Sequence, residues 1–150
     1  MPLRNLITIG LAALVLSACS TSPPPPPTVG EAKEFSSVCD KANDGKRIAV
    51  EGYLRFPESF KGVQSVVLRL YKADDLAGAP LGVQTAMGNQ PNQVEWAPKE
   101  YTDKDLKVHV SDGQLVRFGT KVKVSGKVYF PVVAGDMTCA LENPLFESAK

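Results

Sequence analysis

The chain has 150 residues, of which 43% are hydrophobic and 22% charged, with 17 Lys and Arg against 16 Asp and Glu. So close a balance creates no global positive field, and this argues against electrostatic capture of nucleic acid or of anionic lipid. Three cysteines and one histidine leave few of the residues from which metal cages and acid–base centres are built.

Met1 to Asn5 carries the amino terminus and Arg4, a short positive region. Leu6 to Leu16 is an apolar run of the length of a signal-peptide core, too short for a membrane span of roughly 20 residues. Leu16-Ser17-Ala18-Cys19 follows at once, placing small residues before a cut and then a thiol. These four residues resemble the lipobox of bacterial lipoproteins. The resemblance implies cleavage before Cys19, diacylglycerol on Cys19 Sγ and acylation of the new amino terminus. Several acyl chains hold a protein stably, because each buried methylene contributes about 0.8 kcal/mol. A secretory signal cut nearby, or an uncleaved helix, is the competing reading. Ser20 stands where the family's inner-membrane retention signal has Asp, which implies an outer-membrane location on the periplasmic side. Loss of Arg4 with the signal brings the mature side-chain charges into balance.

The expected organisation is a signal peptide over 1–18, a lipidated and proline-rich tether over 19–34 and one β domain over 35–150. Pro23 to Pro27 are five consecutive prolines with fixed φ and no amide donors. They predict a stiff polyproline II spacer of about 15 Å. With Cys19 assigned to lipid, Cys39 and Cys139 remain in an oxidising compartment, where thiols tend to pair. A Cys39–Cys139 disulfide is predicted, in preference to metal ligation or a reactive thiol, because no CxxC or HxxxH spacing occurs.

A short helix or turn carrying Cys39 is expected between Ala32 and Ala42, followed by a turn at Asn43-Asp44-Gly45. Period-two alternation then predicts strands over 47–56, 64–72, 81–86, 106–110 and 120–130, and over 138–146 with an interruption at Asn143-Pro144. Ile48, Val50, Leu54, Val66, Leu68, Leu70, Val108, Val122, Val124 and Val128 fall on inward faces. Gly52 and Gly126 sit in mid-strand, where sharp bends or bulges belong. The architecture is all-β: a small antiparallel barrel of five or six strands. RIAVEGYL and VKVSGKVYF resemble the first and fourth strands of OB-fold domains, and CALENPLFE would close the barrel. An immunoglobulin-like sandwich is the alternative.

No G-x-S-x-G, HExxH, phosphate loop or G-x-G-x-x-G is present, so no enzyme activity, metal or cofactor is expected beyond the covalent lipid on Cys19. His109 reads as a plain solvent-facing strand residue. Asp74, Asp75, Asp103, Asp105 and Asp112 read as solvated loop charge, and Trp96 as a cap on the core. The candidate binding face is the outward stripe of Tyr53, Arg55, Arg69, Tyr71, Lys121, Lys123, Lys127 and Tyr129. Its aromatic rings could stack on ligand rings and its cations could meet acidic groups. The competing explanation is that tyrosine suits strands and that lysine protects sheet edges. The expected role is a non-catalytic envelope lipoprotein binding a protein or glycan partner near the membrane, with no nucleic-acid partner. The alternative is a structural or assembly accessory of a larger envelope complex.

Overall fold

The computed structural model describes residues 22–23, 25–133 and 135–150. Cys19, the segment expected to be a signal peptide and part of the proline run lie outside these residues. Nine strands are present among the described residues: β1 (Glu31–Ala32), β2 (Arg47–Arg55), β3 (Ser65–Tyr71), β4 (Leu81–Ala86), β5 (Gln93–Val94), β6 (Lys107–His109), β7 (Leu115–Arg117), β8 (Lys121–Tyr129) and β9 (Ala140–Ser148). The only helical segments among the described residues are three 3-10 turns.

The long strands form where alternation was strongest. Ile48, Leu68, Leu70, Val122, Val124 and Val128 are fully buried, and most of their odd-numbered neighbours are exposed or half-buried, with Ala49 and Ser125 buried as well. Strands β2, β3, β4, β9 and β8 pair in that order, and β8 pairs again with β2, closing a five-stranded barrel. All these pairs are antiparallel except β4–β9. The register runs from Arg55 through Arg69, Gly82 and Ala140 to Tyr129 and returns to β2 near Gly45. That offset of about ten residues is the stagger that closing a sheet demands. The domain is therefore an OB-like barrel, and the sandwich is excluded because no sheet edge opens between two layers.

Residues 87–120 leave the end of β4 and return at the start of β8, closing that end of the barrel. They carry the three-stranded sheet β5–β6–β7. Val94, Leu106, Val108, Val110 and Val116 are buried and merge with the barrel core. Strands β5 and β7 are too short for a period to show in sequence. Strand β9 departs from expectation by continuing through Asn143-Pro144. Asn143 takes φ 49°, and the register with β8 shifts between Ser125 and Lys127. Here β9 holds one extra residue as a bulge, a conformation that Asn tolerates better than most residues.

The last residues of the segment expected to be a tether, 19–34, pack on the barrel. Glu31 and Ala32 add to β2 as a short parallel strand, and Lys33 N–H donates to Ala49 O (2.9 Å). Gly30 N–H donates to the buried Ser125 Oγ (3.1 Å), at a position where a Cβ would strike the Ile48 backbone. Arg47 secures this crossing. Its guanidinium donates to the carbonyls of Thr28, Asn143 (2.9 Å) and Ser125 (3.3 Å). Partial burial pushes its pKa down from the usual arginine value. Arg47→Ala is expected to destabilise the domain by about 2 kcal/mol, since three carbonyls lose a charged donor. Hydrogen exchange should show faster exchange at Gly30 and Lys33.

The two cysteines meet at the opposite end of the barrel from the β5–β7 sheet. Cys39 lies between 3-10 turns at Phe35–Ser37 and Lys41–Asn43, and it is disulfide-bonded to Cys139 with Cα atoms 5.5 Å apart. Val38 beside it is fully buried.

Candidate ligand groove

Register brings the predicted outward residues into rows. Tyr53 lies opposite Tyr71 on one side and Lys121 on the other, and Arg55 lies opposite Arg69. Lys123 pairs with Glu51 one row further along. Six of the eight candidates thus share the continuous outer face of β3, β2 and β8. Lys127 and Tyr129 do not join them. Lys127 sits against Glu142 (3.1 Å), and the Tyr129 hydroxyl donates to Gln84 Oε1 (3.1 Å). Partial burial raises the Tyr129 pKa, aided by the Glu142 charge, so the hydroxyl keeps its proton.

The face is not a free cationic stripe, because its cations already hold carboxylates. Arg55 pairs with Asp103 (2.9 Å), Lys121 with Glu51 (2.9 Å) and Arg69 with Asp136 (2.7 Å). Lys123 lies 3.4 Å from Glu147 Oε2, which is shut off from water and has charge contact but no hydrogen bond. The bonded Glu51 raises the Lys121 pKa. A concavity of about 340 Å³ bordered by Lys33, Lys72, Lys121 and Lys123 contains Glu34 and Glu51 as well. Its charge is therefore mixed, unlike that of an anion cradle.

Two loops turn part of this face into a groove. In the β2–β3 loop, Phe56 stacks on Phe60 (5.7 Å between centroids), and Tyr101 meets both rings at 5.0 Å. The Tyr101 hydroxyl donates to Pro57 O (2.7 Å). Asp103 adds a second tie, accepting from Phe56 N–H (3.2 Å) while holding Arg55. From the other end the β8–β9 loop folds back along β3. There Asp136 accepts from Arg69 Nε, whose Nη1 also donates to Val67 O (2.9 Å). The Arg69 hydrogen bond holds the Asp136 pKa below the usual carboxylate range. The latch thus stays charged to lower pH than an isolated aspartate would and is lost only as acid protonates it. Met137 lies over Gly82, where a Cβ would collide with its sulfur.

Between the loops is a groove of about 310 Å³ lined by Pro57, Ser59, Phe60, Ser65, Val67, Arg69 and Met137. Arg69 is the one predicted residue that lines it, with Tyr53, Arg55 and Tyr71 continuing the face beyond. Phe60, Asp136 and Met137 escaped the sequence reading because they lie on loops, where no periodicity marks direction.

Three other expectations are corrected. Trp96 does not cap the core. It is 58% exposed, and its indole N–H donates to Val63 O (2.9 Å). His109 is half-buried, with Nε2 3.1 Å from Glu95 Oε1, and Lys107 approaches the same carboxylate at 3.3 Å. Asp103 is a structural partner, and Asp105 closes a capping box with Thr102. Among the described residues, no three His, Cys, Asp or Glu side chains converge on a point that could hold a metal.

No family model matches the chain, and no curated protein or solved structure matches it either.

Proposed function

We propose that this chain is a non-catalytic, lipid-anchored envelope protein whose barrel holds a protein or glycan partner close to the membrane. The observation that carries the binding part of this reading is the groove across β3. It has an aromatic wall at Phe60, an apolar wall at Met137 and a fixed guanidinium at Arg69. OB barrels take oligosaccharide and oligonucleotide chains on this strand face, between the loops at its two ends. The leader and the Leu16-Ser17-Ala18-Cys19 sequence support the anchor and the envelope location, where a glycan or protein is the available partner.

The test is capture of envelope components by the lipidated chain and by a Tyr53→Ala, Arg69→Ala, Tyr71→Ala variant. Purified cell-wall glycan and in-cell crosslinking serve as the two readouts. Loss of stacking and of one charge-assisted contact is expected to weaken capture at least about tenfold. The thermal transition should fall slightly while the variant stays folded, because Arg69→Ala also releases Asp136 and the Val67 carbonyl. Unchanged capture by a folded variant removes the groove from the reading and favours the structural-accessory alternative.

A further inference from the structure

Where β4 meets β9, the barrel wall is short of one rung. The parallel ladder holds only at Gly82–Ala140 and Val83–Leu141. Met87 N–H donates to Gln64 O just before β3 (2.8 Å), so the alternate residues Gly82, Gln84 and Ala86 turn their backbone groups away from β3. Gly82 N–H accordingly donates to Cys139 O (3.0 Å). Continuing this register would set Asn143 opposite Thr85, with its N–H on the Gln84 carbonyl and its carbonyl on the Ala86 N–H. Neither bond forms. Asn143 is the bulged residue at φ 49°, Arg47 holds its carbonyl (2.9 Å), and Pro144 after it has no amide to offer. Past the gap β5 takes up the edge again, with Met87 bridged to Val94 and Gly88 N–H donating to Val94 O (2.8 Å).

The gap is open to solvent. Gln84 and Ala86 are exposed, and among the described residues the Gln84 carbonyl and the Ala86 N–H have no backbone partner. They border a crevice of about 530 Å³ whose walls include Pro27, Pro91 and Pro144. Glu142, the charged residue of its lining, is held by Lys127 (3.1 Å). The crevice therefore offers no free charge to select an acid or a base. One acceptor and one donor flanking a single strand residue match the N–H and carbonyl of one residue in an extended peptide. The chain's own Pro25, Pro26 and Pro27 cannot fill the gap, because they have no N–H for the Gln84 carbonyl.

We propose that the gap between β4 and β9 is a peptide-binding slot, in which one residue of a short, extended and uncharged peptide takes the rung vacated by Asn143. The slot needs neither the lipid anchor nor the groove across β3. Its two backbone bonds fix the register of the peptide, and the proline walls give the flanking side chains apolar surface.

The experiment selects heptapeptides from a random display library on the full chain in detergent micelles. The bound peptide is then N-methylated one amide at a time. Methylation of one amide should weaken binding about tenfold or more, and the Ala86 amide should exchange more slowly with peptide bound. Ala86→Pro removes the N–H that faces away from β3, so the β3–β4 ladder stays intact while binding falls by a similar factor. The Tyr53→Ala, Arg69→Ala, Tyr71→Ala variant should bind as the parent chain does. Failure to select a peptide, or a peptide that leaves Ala86 exchange unchanged, overturns the slot. Loss of binding in the triple variant assigns the peptide to the groove and overturns it as well. Exchange and methylation are read on the parent chain, so they decide the matter even where Ala86→Pro fails to fold.

Discussion

Replacing both Cys39 and Cys139 with alanine is expected to lower the unfolding free energy by about 4–5 kcal/mol. The bond joins residues 100 positions apart, so its loss releases the unfolded chain from a very long closed loop. A domain of this size has a total stability of only about 5–15 kcal/mol, so the variant should be marginal at 37 °C. The native state suffers as well. The stretch from Phe35 to Lys46 lies outside the strands and rests on two 3-10 turns, and Asn43 Nδ2 donates to Ser37 O (2.8 Å). The disulfide is its covalent tie to the barrel beside the buried Val38. Urea denaturation of the parent and the double variant, each with and without reductant, reads the effect. Reductant should bring the parent down to the variant and leave the variant unmoved. A difference below about 1 kcal/mol would mean that the turns and Val38 hold this stretch unaided.

Gly52→Val should cost about 3 kcal/mol, the upper part of the range for overpacking a core. A Cβ at Gly52 would run into the carbonyl oxygen of Tyr71 and lie 2.9 Å from Leu70 Cδ1. The leucine could turn aside, but the carbonyl could move only by giving up the Tyr53–Tyr71 register where β2 passes to β3. Gly126 is the comparison. Its Cβ would meet the Leu141 side chain at 2.8 Å and the Glu142 carbonyl at 3.2 Å, so Gly126→Ala should be milder. Thermal unfolding of the two variants would rank them. A Gly52→Val protein with parental stability would show that β2 has another way to bend.

Much of this protein is legible without coordinates. Alternation placed Ile48, Leu68, Leu70, Val122, Val124 and Val128 in the core, because a strand with one buried face must repeat every second residue. Interior glycines pointed to a bent, closed barrel, and Cys39 and Cys139 pointed to one bridge. The same alternation could say that Tyr53, Arg69 and Lys127 face outward but not what they face. Register around a staggered barrel put Tyr53 beside Tyr71 and sent Lys127 to Glu142. Loop residues lack a period altogether, so Phe60, Asp136 and Met137 became a groove only once the chain had closed. Trp96 was misplaced for the same reason, since burial of a loop side chain depends on which surface the loop crosses. The sequence by itself determined the long strands and the core they bury, which follow from local alternation, and it named the two cysteines that pair. The tertiary structure decided the groove, the ion pairs that quench its cations and the packing of Gly30 to Lys33 against β2 and β8, because each depends on segments that meet only when the sheet closes.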